Sequence, residues 1–91
     1  MVIIVSYDIP EDRRRNRIHK ELKNFGQWVQ YSVFECDLDE RQLARLRHRL
    51  EGLLKEDEDS IFFYRLCSAC ESKTERLGTL TRWADHQALI V

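Results

Sequence analysis

The chain has little to punctuate or staple it: one proline, three glycines and three cysteines in 91 residues. With the three glycines far apart, no Gly-rich loop is present to cradle a phosphate. An odd number of cysteines argues against a disulfide framework and for a reducing compartment, the cytoplasm. No apolar run approaches the ~20 residues of a bilayer span, so no membrane is expected. The opening MVIIVSYDIP is apolar at once, without the basic lead or small-residue cleavage site of a secretory signal, and reads as a first strand. An excess of one charge is missing too. Fifteen basic residues meet 16 acidic ones for a net charge of -1, so bulk electrostatics announce no polyanion binder. Linkers, repeats and low-complexity tracts are absent, and the length suits one domain over residues 1–91.

What is there is globular. Hydrophobic residues at 43% are too many for a disordered tail, and charged residues at 34% too many for a membrane protein. Val2–Tyr7 is β-branched and continuous, as in a strand buried on both faces. Pro10 ends it, and Asp12 is placed to cap a helix carrying Ile18, Leu22 and Phe25 on one stripe, with Gly26 as its stop. Trp28–Cys36 alternates as a strand, and periodicity leaves open whether it is one strand or two. Asp37–Asp39 opens a second helix with Leu43, Leu46, Leu50 and Leu53 as its core stripe. Lys55–Asp59 is a charged turn and Ile61–Cys67 a third strand. Cys67–Thr74 reads as a loop, Glu75–Thr79 as a short strand and Ala88–Val91 as a terminal strand. Two one-sided helices pack naturally on one face of an antiparallel sheet, giving an α+β, ferredoxin-like βαββαβ sandwich with an extra C-terminal strand.

Several residues carry potential chemistry. Asp8 follows an apolar strand, so its carboxylate emerges at the end of the sheet. There it suits a hard cation such as Mg²⁺, or else an Asx-type turn or an arginine partner. One carboxylate cannot make a two-metal site, so a symmetric partner chain or a substrate phosphate would have to complete it. Eleven of the 15 basic residues are arginine, four of them between Arg13 and Arg17 and four between Arg41 and Arg49. Arg13, Arg17 and Lys20 share one helix face, with Arg14 and Arg15 beside it. Arg41, Arg45 and His48 share another. Such stripes can track a phosphate backbone, or can be solvated faces paired with Glu11, Glu21, Glu40 and Glu51. Cys67-Ser68-Ala69-Cys70 is half of a zinc site without a second pair, and a redox role would want a helix start, so it reads as two loop thiols. The strand aromatics Trp28, Tyr31, Phe34, Phe62, Phe63 and Tyr64 fit a core better than a stacking platform. His19, His48 and His86 show no ligand spacing.

Taken in order, Ile4-Val5-Ser6-Tyr7-Asp8-Ile9-Pro10, Asp12-Arg13-Arg14-Arg15-Asn16-Arg17, Gly26, and Val29-Gln30-Tyr31-Ser32-Val33-Phe34-Glu35 resemble the small CRISPR-associated "Cas two" family. The acidic turn ending at Asp59, the strand Ser60–Cys67, Cys70 and Leu77-Gly78 extend the resemblance over essentially the whole chain. It implies a ferredoxin-like homodimer in which each C-terminal strand reaches the other chain's sheet. It also implies a scaffold that bridges the "Cas one" integrase and grips the backbone of incoming DNA during spacer acquisition. Some members are metal-dependent endonucleases of single-stranded RNA or double-stranded DNA, using Mg²⁺ or Mn²⁺. By that resemblance Asp8 is the metal residue, one from each chain, and Tyr7, Arg15, Arg17 and Phe34 are the other residues tied to activity. Arg13, Arg14, Arg15, Arg17, Arg41 and Arg45 are the expected nucleic-acid contacts. Trp28 is a departure, since many members carry arginine there, and it puts strong nuclease activity in question.

Overall fold

A computed structural model describes residues 1–78. Its elements run β1 (Val2–Asp8), α1 (Asp12–Lys23), β2 (Gln27–Gln30), β3 (Val33–Asp37), α2 (Glu40–Leu53), β4 (Ser60–Leu66) and α3 (Ser68–Ser72). The four strands form one sheet in the order β2-β3-β1-β4, every neighbouring pair antiparallel. This is the ferredoxin-like arrangement. The stretch 27–37 is two strands, joined through Tyr31 and Ser32. Tyr31 takes a φ of 45°, a left-handed conformation uncommon for a bulky residue, and no Gly or Asn marks the reversal in the sequence.

Helix α1 is capped one residue before the expected position. Glu11, not Asp12, is the N-cap, its carboxylate accepting from the Arg14 and Arg13 amides at 2.8 and 3.2 Å. The helix stops at the Asn24 cap, and Gly26 serves a different purpose from a helix terminator. A Cβ there would overlap Cys36 Sγ and the Glu35 carbonyl, so glycine is what lets the chain pass close against β3. Asp39 opens α2 through a reciprocal capping box with Gln42.

Ile18 and Leu22 of α1 and Leu43, Leu46 and Leu50 of α2 are buried against Ile3, Val5, Tyr7, Phe34 and Cys36 of the sheet. Both helices lie on this one face, so β1 is not buried on both sides as its composition implied. Ile4 and Ser6, on the other face, are only half-buried. Two further expectations change. Residues 68–72 are helical where a loop was expected, and 75–78 form no strand. The expected terminal strand Ala88–Val91 lies outside the described residues. Among the described residues no helix is long and apolar enough to cross a membrane.

Candidate nucleic-acid interface

Strand alternation places Asp8 on the helix-free face of the sheet, with Val2, Ile4 and Ser6. Its register partner is Ser60, and Phe62 and Tyr64 stand opposite Ser6 and Ile4. Phe62 and Tyr64 are 56% and 54% exposed and stack with ring centroids 6.1 Å apart at 25°. The Asp8 side chain is exposed and makes no hydrogen bond or ion pair with another described residue. Neither the Asx turn nor the arginine pairing weighed from sequence is therefore formed. Among the described residues, no three His, Cys, Asp or Glu side chains come together as a metal cage.

Tyr7 and Phe34 lie on the opposite, helix-covered face. Phe34 is fully buried, and Tyr7 is nearly so, with its ring 6.4 Å from that of Phe34. The Tyr7 hydroxyl shares a 2.9 Å hydrogen bond with Nδ1 of His19. The His19 ring meets Phe34 edge-on at 5.0 Å and Trp28 at 6.1 Å. Burial, and then Lys23, lower the pKa of His19, and burial raises that of Tyr7. The cluster is thus a neutral wedge between α1 and the sheet. Trp28 belongs to it, donating Nε1 to the Tyr31 carbonyl at 2.7 Å. Sequence reasoning passed over His19. The signal was its position three residues before Leu22, which widens the apolar stripe of α1.

The arginines divide into two groups. Arg14 is drawn to the acidic turn: Nε donates to Asp59 Oδ2 at 2.5 Å, and Nη2 donates to Asp59 Oδ1 at 3.0 Å and to Glu58 Oε1 at 3.1 Å. The pairing holds the Asp59 carboxyl below the usual carboxylate range and raises the Arg14 pKa. Arg15 closes the β1–α1 loop, donating to the Ile9 carbonyl at 3.0 Å and pairing with Asp12 rather than meeting Asp8. Arg49 takes Glu21 at 3.2 Å and Arg65 takes Glu40 at 2.9 Å. Of the acids expected to neutralise the stripes, Glu11, Glu21 and Glu40 are therefore engaged by Arg14, Arg49 and Arg65. Arg17, Arg41 and Arg45 are exposed and make no ion pair with any described residue. Arg13 is exposed beside the Glu11 cap. The two long helices carry ten of the 15 basic residues and only four of the 16 acidic ones. A net charge near zero thus conceals a cationic helix layer.

The CRISPR associated protein Cas2 family model matches residues 1–74. The chain is 44% identical over 79 residues to the CRISPR-associated endoribonuclease Cas2 1 of Chloroflexus aurantiacus, covering 86% of this chain and 85% of that protein. Its fold superposes on a crystal structure of Streptococcus pyogenes Cas2 with a TM-score of 0.75 and 34% identity, over 86% of this chain and all of that one. It superposes on a hypothetical protein of Thermus thermophilus with a TM-score of 0.78 and 42% identity, over 86% of this chain and 90% of that chain.

Proposed function

The chain belongs to the CRISPR-associated Cas2 family, and from that premise we propose that it is a homodimeric scaffold of spacer acquisition, gripping the backbone of a DNA fragment with its helix layer and bridging the "Cas one" integrase. The observation that carries the reading is the trio Arg17, Arg41 and Arg45, exposed and without an ion-pair partner among the described residues while neighbouring acids are occupied by other arginines. Guanidinium groups left free on two adjacent helices suit phosphate contact without base readout. Arg13, also exposed, lies one turn before Arg17 on α1. Arg14 and Arg15 contribute indirectly, by holding the helix start in place. The second copy docks on the helix-free face, where Ile4, Phe62 and Tyr64 present apolar surface that water disfavours.

The test is duplex DNA binding across a salt series. Binding that is sequence-tolerant and weakens steeply with salt is expected. Replacing Arg17, Arg41 and Arg45 together by alanine should reduce the slope of log K against log[salt] by about 0.9 for each phosphate that is no longer neutralised. Affinity that ignores salt, or a slope unchanged in the triple variant, overturns the reading.

The position of Asp8 favours a second activity, metal-dependent cleavage of RNA or DNA, in keeping with the endoribonuclease name of the Chloroflexus relative. Asp8 is a carboxylate without a partner among the described residues, at the end of the face proposed to meet the second copy, so the dimer brings two of them toward each other. A pair of hard oxygen ligands fits Mg²⁺ or Mn²⁺, with water completing the shell. Such a cation would supply charge neutralisation at the phosphate and acidify a bound water. The chain's part is to hold the carboxylates unpaired and correctly spaced, and Arg15 steadies the loop that follows. Spacer acquisition in cells with Asp8→Ala separates the two activities, provided the variant still folds and dimerises. Continued acquisition leaves the scaffold as the working activity, whereas lost acquisition from an intact dimer makes the Asp8 pair a direct participant.

A further inference from the structure

The two exposed cysteines are not independent loop thiols. Cys67 directly follows β4 and is the N-cap of α3, and its Sγ accepts a hydrogen bond from the Cys70 amide at 3.4 Å. The helical turn of residues 68–72 folds the C-x-x-C segment back, so that both exposed thiols belong to one turn and the Cys70 backbone lies against the Cys67 sulfur. The third cysteine, Cys36, is fully buried in the core and has no such neighbour. One thiol is thus sequestered, and two are exposed on the same helical turn.

We propose that Cys67 and Cys70 form a redox-reversible dithiol whose oxidant is a low-molecular-weight disulfide of the glutathione class. Cys67, as thiolate, attacks one sulfur of that disulfide. The S–S bond breaks, a mixed disulfide forms on Cys67, and the first small thiolate leaves and takes up a proton. Cys70 then loses its proton and attacks the Cys67 sulfur, closing the Cys67–Cys70 bond and expelling the second small thiol. Two protein thiols are oxidised, one disulfide is reduced to two thiols, and the protons of the cysteines pass to the products.

The order of attack follows from the amide hydrogen bond. The Cys70 amide stabilises negative charge on Cys67 and lowers its pKa, while the neighbouring Cys67 raises that of Cys70. Cys67 is accordingly the attacking thiol and Cys70 the resolving one. Cys36 takes no part, because burial pushes its thiol up to about 11. The site lies just past the end of β4, at the opposite end of that strand from Ser60, the register partner of Asp8, and it uses none of the proposed nucleic-acid contacts, so it stands whether or not the proposed nucleic-acid activity is correct.

Peptide mapping of the full chain tests this directly. Trypsin releases Leu66–Lys73 with both thiols on one fragment, while Cys36 falls on the fragment Asn24–Arg41. After equilibration with reduced and oxidised glutathione, acid quenching and alkylation, the Leu66–Lys73 fragment should be two hydrogens lighter than its reduced form and free of glutathione. Cys36 should remain reduced. Cys70→Ser should accumulate a glutathione adduct on Cys67 that the wild-type chain resolves. In the reduced protein Cys67 should alkylate about fivefold faster than Cys70 at neutral pH, a difference that unfolding in urea removes. Stable glutathione adducts in the wild-type chain without the internal bond, or equal alkylation rates in the folded protein, overturn the proposal.

Discussion

Arg14 and Asp59, 45 residues apart in sequence, meet through two parallel hydrogen bonds of 2.5 and 3.0 Å that tie the first turn of α1 to the end of the acidic turn. The same Asp59 carboxylate accepts the Lys55 amide at 2.9 Å, so one fully covered side chain closes its own turn and anchors a helix. A bidentate guanidinium–carboxylate pair has the geometry that distinguishes a strong ion pair from an ordinary surface one.

Asp59→Ala should therefore destabilise the fold by about 2 kcal/mol, the order of magnitude for leaving buried hydrogen-bonding groups without a partner. Chemical denaturation checks it. Because Arg14 chiefly depresses the folded-state pKa of Asp59, this stabilisation is complete above the ordinary value of 3.8 and is lost as pH falls through the lower folded value. The difference between wild type and variant should shrink in that acid range.

Tyr7→Phe and Phe34→Ala should separate a hydrogen bond from core packing. Tyr7→Phe keeps the ring against Phe34 and loses only the link to His19, for a cost of about 1 kcal/mol. Phe34→Ala opens a cavity in a fully buried site and should cost about 3–5 kcal/mol. Loss of activity in Phe34→Ala with normal stability would point to a direct role for the ring instead.

His19 should give the protein a stability limb in mildly acidic solution. Burial lowers its folded pKa, so the unfolded chain binds its proton first as pH drops below the ordinary value of 6.5. Stability should fall from there until pH passes the folded value. His19→Gln should be less stable near neutrality and should flatten this limb, as measured by denaturation midpoints across the pH series.

Phe62→Asp should convert the proposed dimer to a monomer, read by sedimentation or light scattering. The residue is more than half exposed in the single chain and stacks only on Tyr64 among the described aromatics. The folded core should therefore tolerate the change. A dimer that persists would move the interface away from the helix-free face.

Local chemistry was legible without a structure wherever the determining interactions lie within a few residues. The leucine stripe of α2, its opening at Asp37–Asp39, the apolar run of β1 and the arginine stripes are set by helical or strand period and by one or two neighbours in sequence. The hairpin at Tyr31 was not legible, because its left-handed residue is neither Gly nor Asn, its side chain is exposed, and the pairing of β2 with β3 and the Trp28 bond to its carbonyl are what hold it. Gly26 was legible as glycine but not in its purpose, which depends on the approach of Cys36 from another strand. The arginines show the division most clearly. Their number and helical spacing are written in the chain, and so is Asp8 at a strand end. Which of them are free is decided by partners 25 to 45 residues away, such as Asp59 for Arg14, Glu21 for Arg49 and Glu40 for Arg65. Charge pairing acts through space, so the sequence determined where the charges sit along each element. Only the packing of α1, α2 and β4 against one another decided which charges remain for a partner.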